Sequence, residues 1–327
     1  MDPITHGLTG ALLAEAGFRQ RYGRQATLAL AGGALLPDID VVWSWGQGVA
    51  ALEMHRGLTH SLLGAAGIAL SLAAGLRWLG PERRWGPLIG MALLGVGVGH
   101  LVLDLVTSFG IQLFLPFSRA RPALDWLFII DLWLSIPILL ALVTARVTGL
   151  IRLAHLGCLY VAVYLGLSAA AHASAVTHVQ RIAAEMRLPI TRVAALPQPP
   201  SPLSWLGLVE TADGYGVAPV RLFASVPTRL EPVPRGPDSD LVQRVRTLAP
   251  VQTYLWFARF PVVRLREIGD QQVVEFRDLR FTTRGWRENG FVRRVAPLLS
   301  RSRLEREPFV LEVAVTPSGV IRGITLQ

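Results

Sequence analysis

"HRGLTHSLLGAAGIALSLAAGLRWL", residues 55–79, sets His55, Arg56 and His60 against the start of an apolar run that meets no charge before Arg77. A helix needs about 20 mostly apolar residues to cross a bilayer. The run from His60 onward supplies them, and so do residues 87–110, 126–145 and 154–176. Two shorter segments precede these, 4–18 and 26–43, the second interrupted near its end by Pro37, so they are expected to pack as a helical hairpin against the others. Ionisable side chains at the edge of such a bundle are expensive and mark function more often than they decorate it.

Composition agrees with the local reading. The 327 residues are 51% hydrophobic and have a mean hydropathy of +0.42, more apolar than the roughly 45–50% of an ordinary soluble chain, glycine included. The long uncharged runs lie almost entirely within residues 1–180, whereas 190–327 carry mixed charge. The expected fold is therefore an α-helical membrane bundle of about four to six hydrophobic helices with a C-terminal α+β soluble domain. Its expected divisions are a membrane domain at 1–180, a proline-rich linker at 181–202 around "LPQPPSP", and a small domain at 203–327. Asp2 and His6 stand where a signal peptide would carry positive charge, so the start is expected to stay in the mature protein. The single cysteine, Cys158, excludes a disulfide framework.

All 32 basic residues are arginine, and the formal charge of +9 is spread over both halves without a concentrated basic stripe. Nucleic acid is therefore not an expected partner. The arginines do set an orientation. Arg19, Arg21 and Arg24, then Arg77, Arg83 and Arg84, then Arg146 and Arg152 fall on one side if all six segments cross, and that side is expected to be cytoplasmic. The other side collects His6, Asp38, Asp40, His55, His60, His100, Asp104, Asp125 and Asp131, against Arg119 and Arg121. The site and the C-terminal domain are thus expected outside the cytoplasm.

In the C-terminal part, "WLGLVETADGYGVAPVRLF" reads as two strands around the Asp213-Gly214 turn. "DLVQRVRTLAPVQTYLWFARF" reads as a helix capped by Asp240 and disturbed at Pro250, "QQVVEFRDLRF" as a strand, and "FVLEVAVTPSGVIRGITL" as a closing hairpin. Trp205, Trp256 and Trp286 are expected to be core or interface aromatics.

The histidines and aspartates have metal-ligand character. Asp104 follows His100 by four residues, so one helix face presents both. "LPDID" puts Asp38 and Asp40 just after a helix-interrupting proline, and Gly57 is expected to break the chain between His55 and His60. Imidazole and carboxylate without thiolate suits zinc, manganese or iron. The ligand set exceeds what one tetrahedral ion needs, which points to two divalent ions, zinc first. His155, His172 and His178 are expected to be ordinary polar residues.

"MDPITHGLTGALL", "LPDID", "HRGLTHS" and "GHLVLDLVTSFG" together resemble the YdjM-type family of bacterial inner-membrane, metal-dependent hydrolases, and "ALDWLFIID" and "LWFARFPVV" resemble its longer branch with a C-terminal domain. The resemblance implies a multi-pass inner-membrane protein with metal binding by His6, Asp38 or Asp40, His60, His100 and Asp104, and with His55 as an additional ligand. Asp131 is a further candidate ligand. The motif order is also similar to zinc-dependent phospholipase C, although Met1 stands here in place of that family's N-terminal tryptophan. The expected activity is hydrolysis of a phosphoester or lipid-like ester, with membrane lipids as partners. His55 is expected at the reaction as ligand or proton carrier, and Arg56 is a candidate holder of substrate phosphate, with a salt bridge to a local carboxylate as the favoured alternative. The alternative is a metal-stabilised membrane anchor presenting the C-terminal domain, with a metal transporter ranked last because the ionisable residues gather at one end.

Overall fold

In the computed structural model, residues 1–199, 202–223, 229–283 and 307–327 are described. Among them, four helices are long and apolar enough to cross a membrane: Arg24–Ser44, Leu62–Leu79, Trp85–Leu105 and Ile151–Glu185. A fifth apolar helix, Leu132–Thr148, is shorter. The chain divides into a helical unit built mainly from Met1–Trp43 and His55–Ala173, and a second unit that takes Ser44–Met54, Ser174–Pro199 and Ser204–Gln327. The excursion of Ser44–Met54 into the second unit has no counterpart in the sequence reading.

Helix α1 (Pro3–Leu13) starts where Asp2 accepts the Thr5 N–H at 3.0 Å and Pro3 occupies the first helical position. Helix α2 (Arg24–Leu35) runs on through Pro37 without a break in the helical path. The proline sits in the first turn of a tight 3₁₀ segment, Leu36–Ile39, where its missing N–H costs nothing, and the helical run continues to Ser44. A segment that read as broken is therefore long enough to span. Helix α3 is Leu62–Leu79, and α4 (Trp85–Val96) passes through a π-helical turn at Gly97–Leu101 into Val102–Leu105.

The next helix, α5 (Leu132–Thr148), begins six residues later than the apolar run beginning at 126 suggested. Asp131 ends the preceding extended chain by accepting the N–H groups of Trp133 and Leu134 at 3.0 and 3.2 Å. Upstream of that cap, Thr107 bridges Leu127 in parallel fashion and leaves residues 106–131 largely non-helical. Helix α6 (Ile151–Glu185) is longer than the expected 154–176.

Small residues let α1, α2 and α4 approach closely. A Cβ on Gly10 would stand 2.5 Å from the Leu30 carbonyl oxygen, and one on Gly33 would stand 2.7 Å from that of Ala92. Around these crossings Ala26, Ala29, Leu30, Leu88 and Met91 are buried together. Leu12, Leu103, Leu127, Leu134 and Ile138 form a second core cluster. Exposed Leu63, Leu70, Leu140, Leu159 and Val163 supply the apolar outer face that a bilayer requires.

The second unit holds two four-stranded antiparallel sheets. The first has the order β1 (Arg192–Gln198), β2 (Ser204–Glu210), β3 (Gly214–Arg221), β4 (Glu231–Pro234). The second has the order β5 (Pro261–Ile268), β6 (Gln271–Asp278), β7 (Leu311–Val315), β8 (Ile321–Leu326). Helices α7 (Asp240–Arg246) and α8 (Ala249–Phe257) lie between them in sequence. The stretch read as a linker is instead the end of α6 followed by β1. Pro197 is tolerated there because β1 is an edge strand, so a missing N–H need not break a ladder. The cap of α7 is Ser239, whose hydroxyl accepts the Val242 N–H, rather than Asp240. Trp205 is buried and Trp256 half-buried, while Trp286 lies outside the described residues.

Replacing Gly33 by Val forces a branched side chain into the Ala92 backbone. Overpacking of this kind costs about 1–3 kcal/mol, so the variant is expected to melt at lower temperature in detergent, by circular dichroism, than the parent. An unchanged midpoint would show that the α2–α4 crossing has slack.

Candidate metal centre

Three breaks in helical regularity deliver the ligands. The 3₁₀ turn after Pro37 carries Asp38, and Asp40 begins the short helix that follows. A second 3₁₀ turn, Leu58–His60, ends at Ser61, whose hydroxyl caps α3 by accepting the Gly64 N–H. The expected break at Gly57 is thus present and separates His55 from His60. The π-helical turn carries His100, with Asp104 in the next turn. A π turn inserts a residue into a helix and rotates the side chains beyond it to a new direction, a feature common at functional sites.

The side chains of Asp38, His60, His100 and Asp104 meet at one point. His60 Nε2 is 2.9 Å from His100 Nε2, 3.4 Å from Asp38 Oδ1 and 3.2 Å from Asp104 Oδ2. His100 Nε2 is 3.6 Å from Asp38 Oδ1 and 3.4 Å from Asp104 Oδ2. Four donors around an ion with bonds of about 2.1 Å stand roughly 3.4 Å apart along the tetrahedral edges, so these spacings fit a divalent cation.

Proton placement leads to the same conclusion. His100 Nδ1 donates to the Ala34 carbonyl oxygen at 2.6 Å, which leaves its Nε2 as a lone pair. His60 Nδ1 faces Asp40 Oδ2 at 3.2 Å, which orients its Nε2 the same way. Asp104 Oδ2 is buried and has no hydrogen-bond partner. Two lone pairs and two carboxylates aimed at one buried point require positive charge.

Asp38, Asp40 and His55 form a second group that shares Asp38 with the first. His55 Nδ1 lies 2.9 Å from Asp40 Oδ1, and the other oxygen of Asp40 accepts the Arg56 N–H at 2.9 Å and the Thr59 hydroxyl at 3.0 Å. His60, His100 and Asp104 are fully enclosed, whereas the Asp38 side chain retains 14% exposure and that of His55 28%. The cluster is therefore approached from the Asp38–His55 side.

The remaining expected residues take other places. His6 belongs to neither group. Its Nδ1 donates to the Gly99 carbonyl at 2.9 Å, its ring stacks on His100 at 3.9 Å, and its Nε2 lies 3.3 Å from Asp104 Oδ1. Asp131 stands in neither group, because it caps α5 and accepts the Tyr164 hydroxyl at 2.8 Å. Arg56, weighed as a holder of substrate phosphate or as the partner of a local carboxylate, is sealed in at 2% exposure and takes the second role. Its Nη2 pairs with Asp104 Oδ1 at 2.9 Å and its Nη1 donates to Thr107 Oγ1 at 3.1 Å. A buried carboxylate needs a countercharge, and this arginine is it.

The sequence reading missed Thr59, Thr107 and the α-amino group of Met1, which donates to Asp104 Oδ1. Thr59 adjoins His60, and Thr107 comes about one helical turn after Asp104, so spacing carried a signal for both hydroxyls. Nothing in the local sequence pointed to Met1.

No curated protein and no solved structure matches the chain. The YdjM inner membrane protein family matches residues 1–175, more than half of the 327 and inclusive of every side chain at the cluster, so the chain belongs to that family.

Proposed function

We propose that this inner-membrane protein is a metal-dependent hydrolase acting on a phosphoester or a lipid-like ester. The observation that carries the proposal is the convergence of Asp38, His60, His100 and Asp104 at tetrahedral spacing beside a second group, Asp38, Asp40 and His55, that remains open on one side. Asp38 is common to both groups, which supports room for two ions, one of which would be held by Asp38, His60, His100 and Asp104 and the other by Asp38, Asp40 and His55. The nitrogen and oxygen donor set favours zinc, with manganese or iron as alternatives. When bound, such ions supply Lewis-acid polarisation of an ester oxygen and lower the pKa of water to near neutrality.

The chain's own residues would do the rest. Asp40 fixes the ring orientations of both His55 and His60, as carboxylates behind metal-bound histidines do. Arg56 holds Asp104 in place and offsets its charge. The enclosed faces of His60, His100 and Asp104 exclude bulk water, so an anionic ester must approach over Asp38 and His55. That residual opening favours hydrolysis over a purely structural anchor, whose ions would be closed off by protein ligands.

His100→Ala and Asp104→Ala should each lose most bound metal by elemental analysis while still inserting in the membrane. Metal content equal to the parent in both variants would refute the cluster as a metal centre.

His55→Ala should lower the metal stoichiometry without emptying the Asp38–His60–His100–Asp104 group. Full stoichiometry with turnover reduced by about 10²–10⁴ would make His55 a proton carrier instead.

The arginine asymmetry supports placing the cluster and the residues after 185 outside the cytoplasm. A periplasm-active reporter fused after Gln327 should then be active, and activity of a cytoplasm-dependent reporter would reverse the orientation.

A further inference from the structure

The helices that carry the cluster at one end form a different kind of site at the other. His60 precedes α3 and Leu79 ends it, a separation of about 27 Å along 18 helical residues. Beside Leu79 opens a cavity of 680 Å³ lined by Arg21, Tyr22, Arg24, Gln25, Leu28 and Leu79, among others. Its floor is built in advance. Gln25 is buried, donates to the carbonyls of Leu76 and Glu82 at 2.8 and 3.2 Å, and accepts the Glu82 N–H at 2.8 Å, pinning the 80–82 turn to α2.

The charges on the rim are not equivalent. The one lining carboxylate, Glu82, is taken by Arg84 at 2.7 Å. Arg21 lies over the Tyr22 ring, and neither Arg21 nor Arg24 has a carboxylate partner among the described residues. Both are exposed. On the apolar side, Leu28 is 49% and Leu79 78% exposed, and Trp78 and Trp85 extend the same end of the bundle with exposed rings. Tryptophan at this level is typical of a membrane–water interface. Two exposed guanidinium groups without a carboxylate partner among the described residues, set beside exposed leucines, match a molecule that is anionic at its head and apolar below.

We propose that this cavity binds the headgroup phosphate of an anionic phospholipid, with Arg21 and Arg24 on the phosphate and Leu28 and Leu79 against the upper acyl chain. Guanidinium pairs favour phosphate through charge-assisted hydrogen bonds. The site is separate from the metal centre and does not depend on the hydrolase reading.

The test uses the full-length purified protein in nanodiscs, comparing pure phosphatidylcholine with the same lipid containing phosphatidylglycerol. The parent should melt several degrees higher with the anionic lipid. The Arg21→Gln/Arg24→Gln protein should lose most of that shift while keeping its melting point in phosphatidylcholine and its full metal content. An equal shift in the double variant, or no shift in the parent, would overturn the site. Reproduction of the shift by inorganic phosphate in phosphatidylcholine would overturn the lipid as its source. A misfolded variant would be recognised by loss of metal, and Arg21→Lys/Arg24→Lys, which keeps the charge, should then retain part of the shift.

Discussion

Three carboxylates, Asp38, Asp40 and Asp104, are held around the imidazoles of His55, His60 and His100 within a helical membrane bundle, and the rest of the helical unit is arranged to make that tolerable. A buried ion costs several kcal/mol unless it is paired and hydrogen-bonded. Asp104 meets this demand on one oxygen with Arg56, the Met1 amine and His6, and turns the other toward the cluster without a hydrogen bond. Arg56 in turn adopts φ 58, a left-handed conformation disfavoured for a residue with a side chain. Such strain costs about 1–3 kcal/mol. It persists because the same turn lets the Arg56 N–H reach Asp40 and its carbonyl accept the Gln112 N–H at 3.0 Å.

Close helix packing belongs to the same constraint. His100 is oriented by the carbonyl of Ala34, the residue after Gly33, and His6 by the carbonyl of Gly99. A Cβ at Gly99 would stand 2.8 Å from the Ala34 Cβ, so the backbone approach that packs these helices is also what brings main-chain acceptors to the two rings. In a membrane bundle, small residues replace the hydrophobic driving force that water would supply. Here they also fix which ring nitrogen of each histidine faces the cluster.

Much of this was legible in the sequence because ligand identity and helix hydropathy are local properties. Asp38, Asp40, His55, His60, His100 and Asp104 were all recognisable as residues too costly to leave idle at a membrane edge. What failed was anything decided by tertiary partners. Pro37 read as an interruption because a sequence does not show that a 3₁₀ turn will absorb it. Asp131 read as a ligand because a carboxylate at a helix start looks the same whether it caps or coordinates. Arg56 left two readings open, holder of substrate phosphate or partner of a local carboxylate, and only the tertiary fold shows its guanidinium against Asp104. Strand β1 was hidden by Pro197 and the prolines that follow it, which mark a linker unless the strand is known to be an edge.

The two aspartates of "LPDID" show how far the pattern could go. Sequence alone made them interchangeable, but they are two residues apart in a tight turn and cannot share a direction. Asp38 presents its carboxylate to His60 and His100 and stays partly exposed. Asp40 is enclosed and spends one oxygen on His55 and the other on the Arg56 N–H, Thr59 and His60. Asp38 thus belongs to both candidate ligand groups directly, whereas Asp40 links them through the histidines it orients. A charge-preserving lengthening at Asp40, Asp40→Glu, would then disturb both groups through the orientation of His55 and His60, while the same change at Asp38 would act on the carboxylate the two groups share.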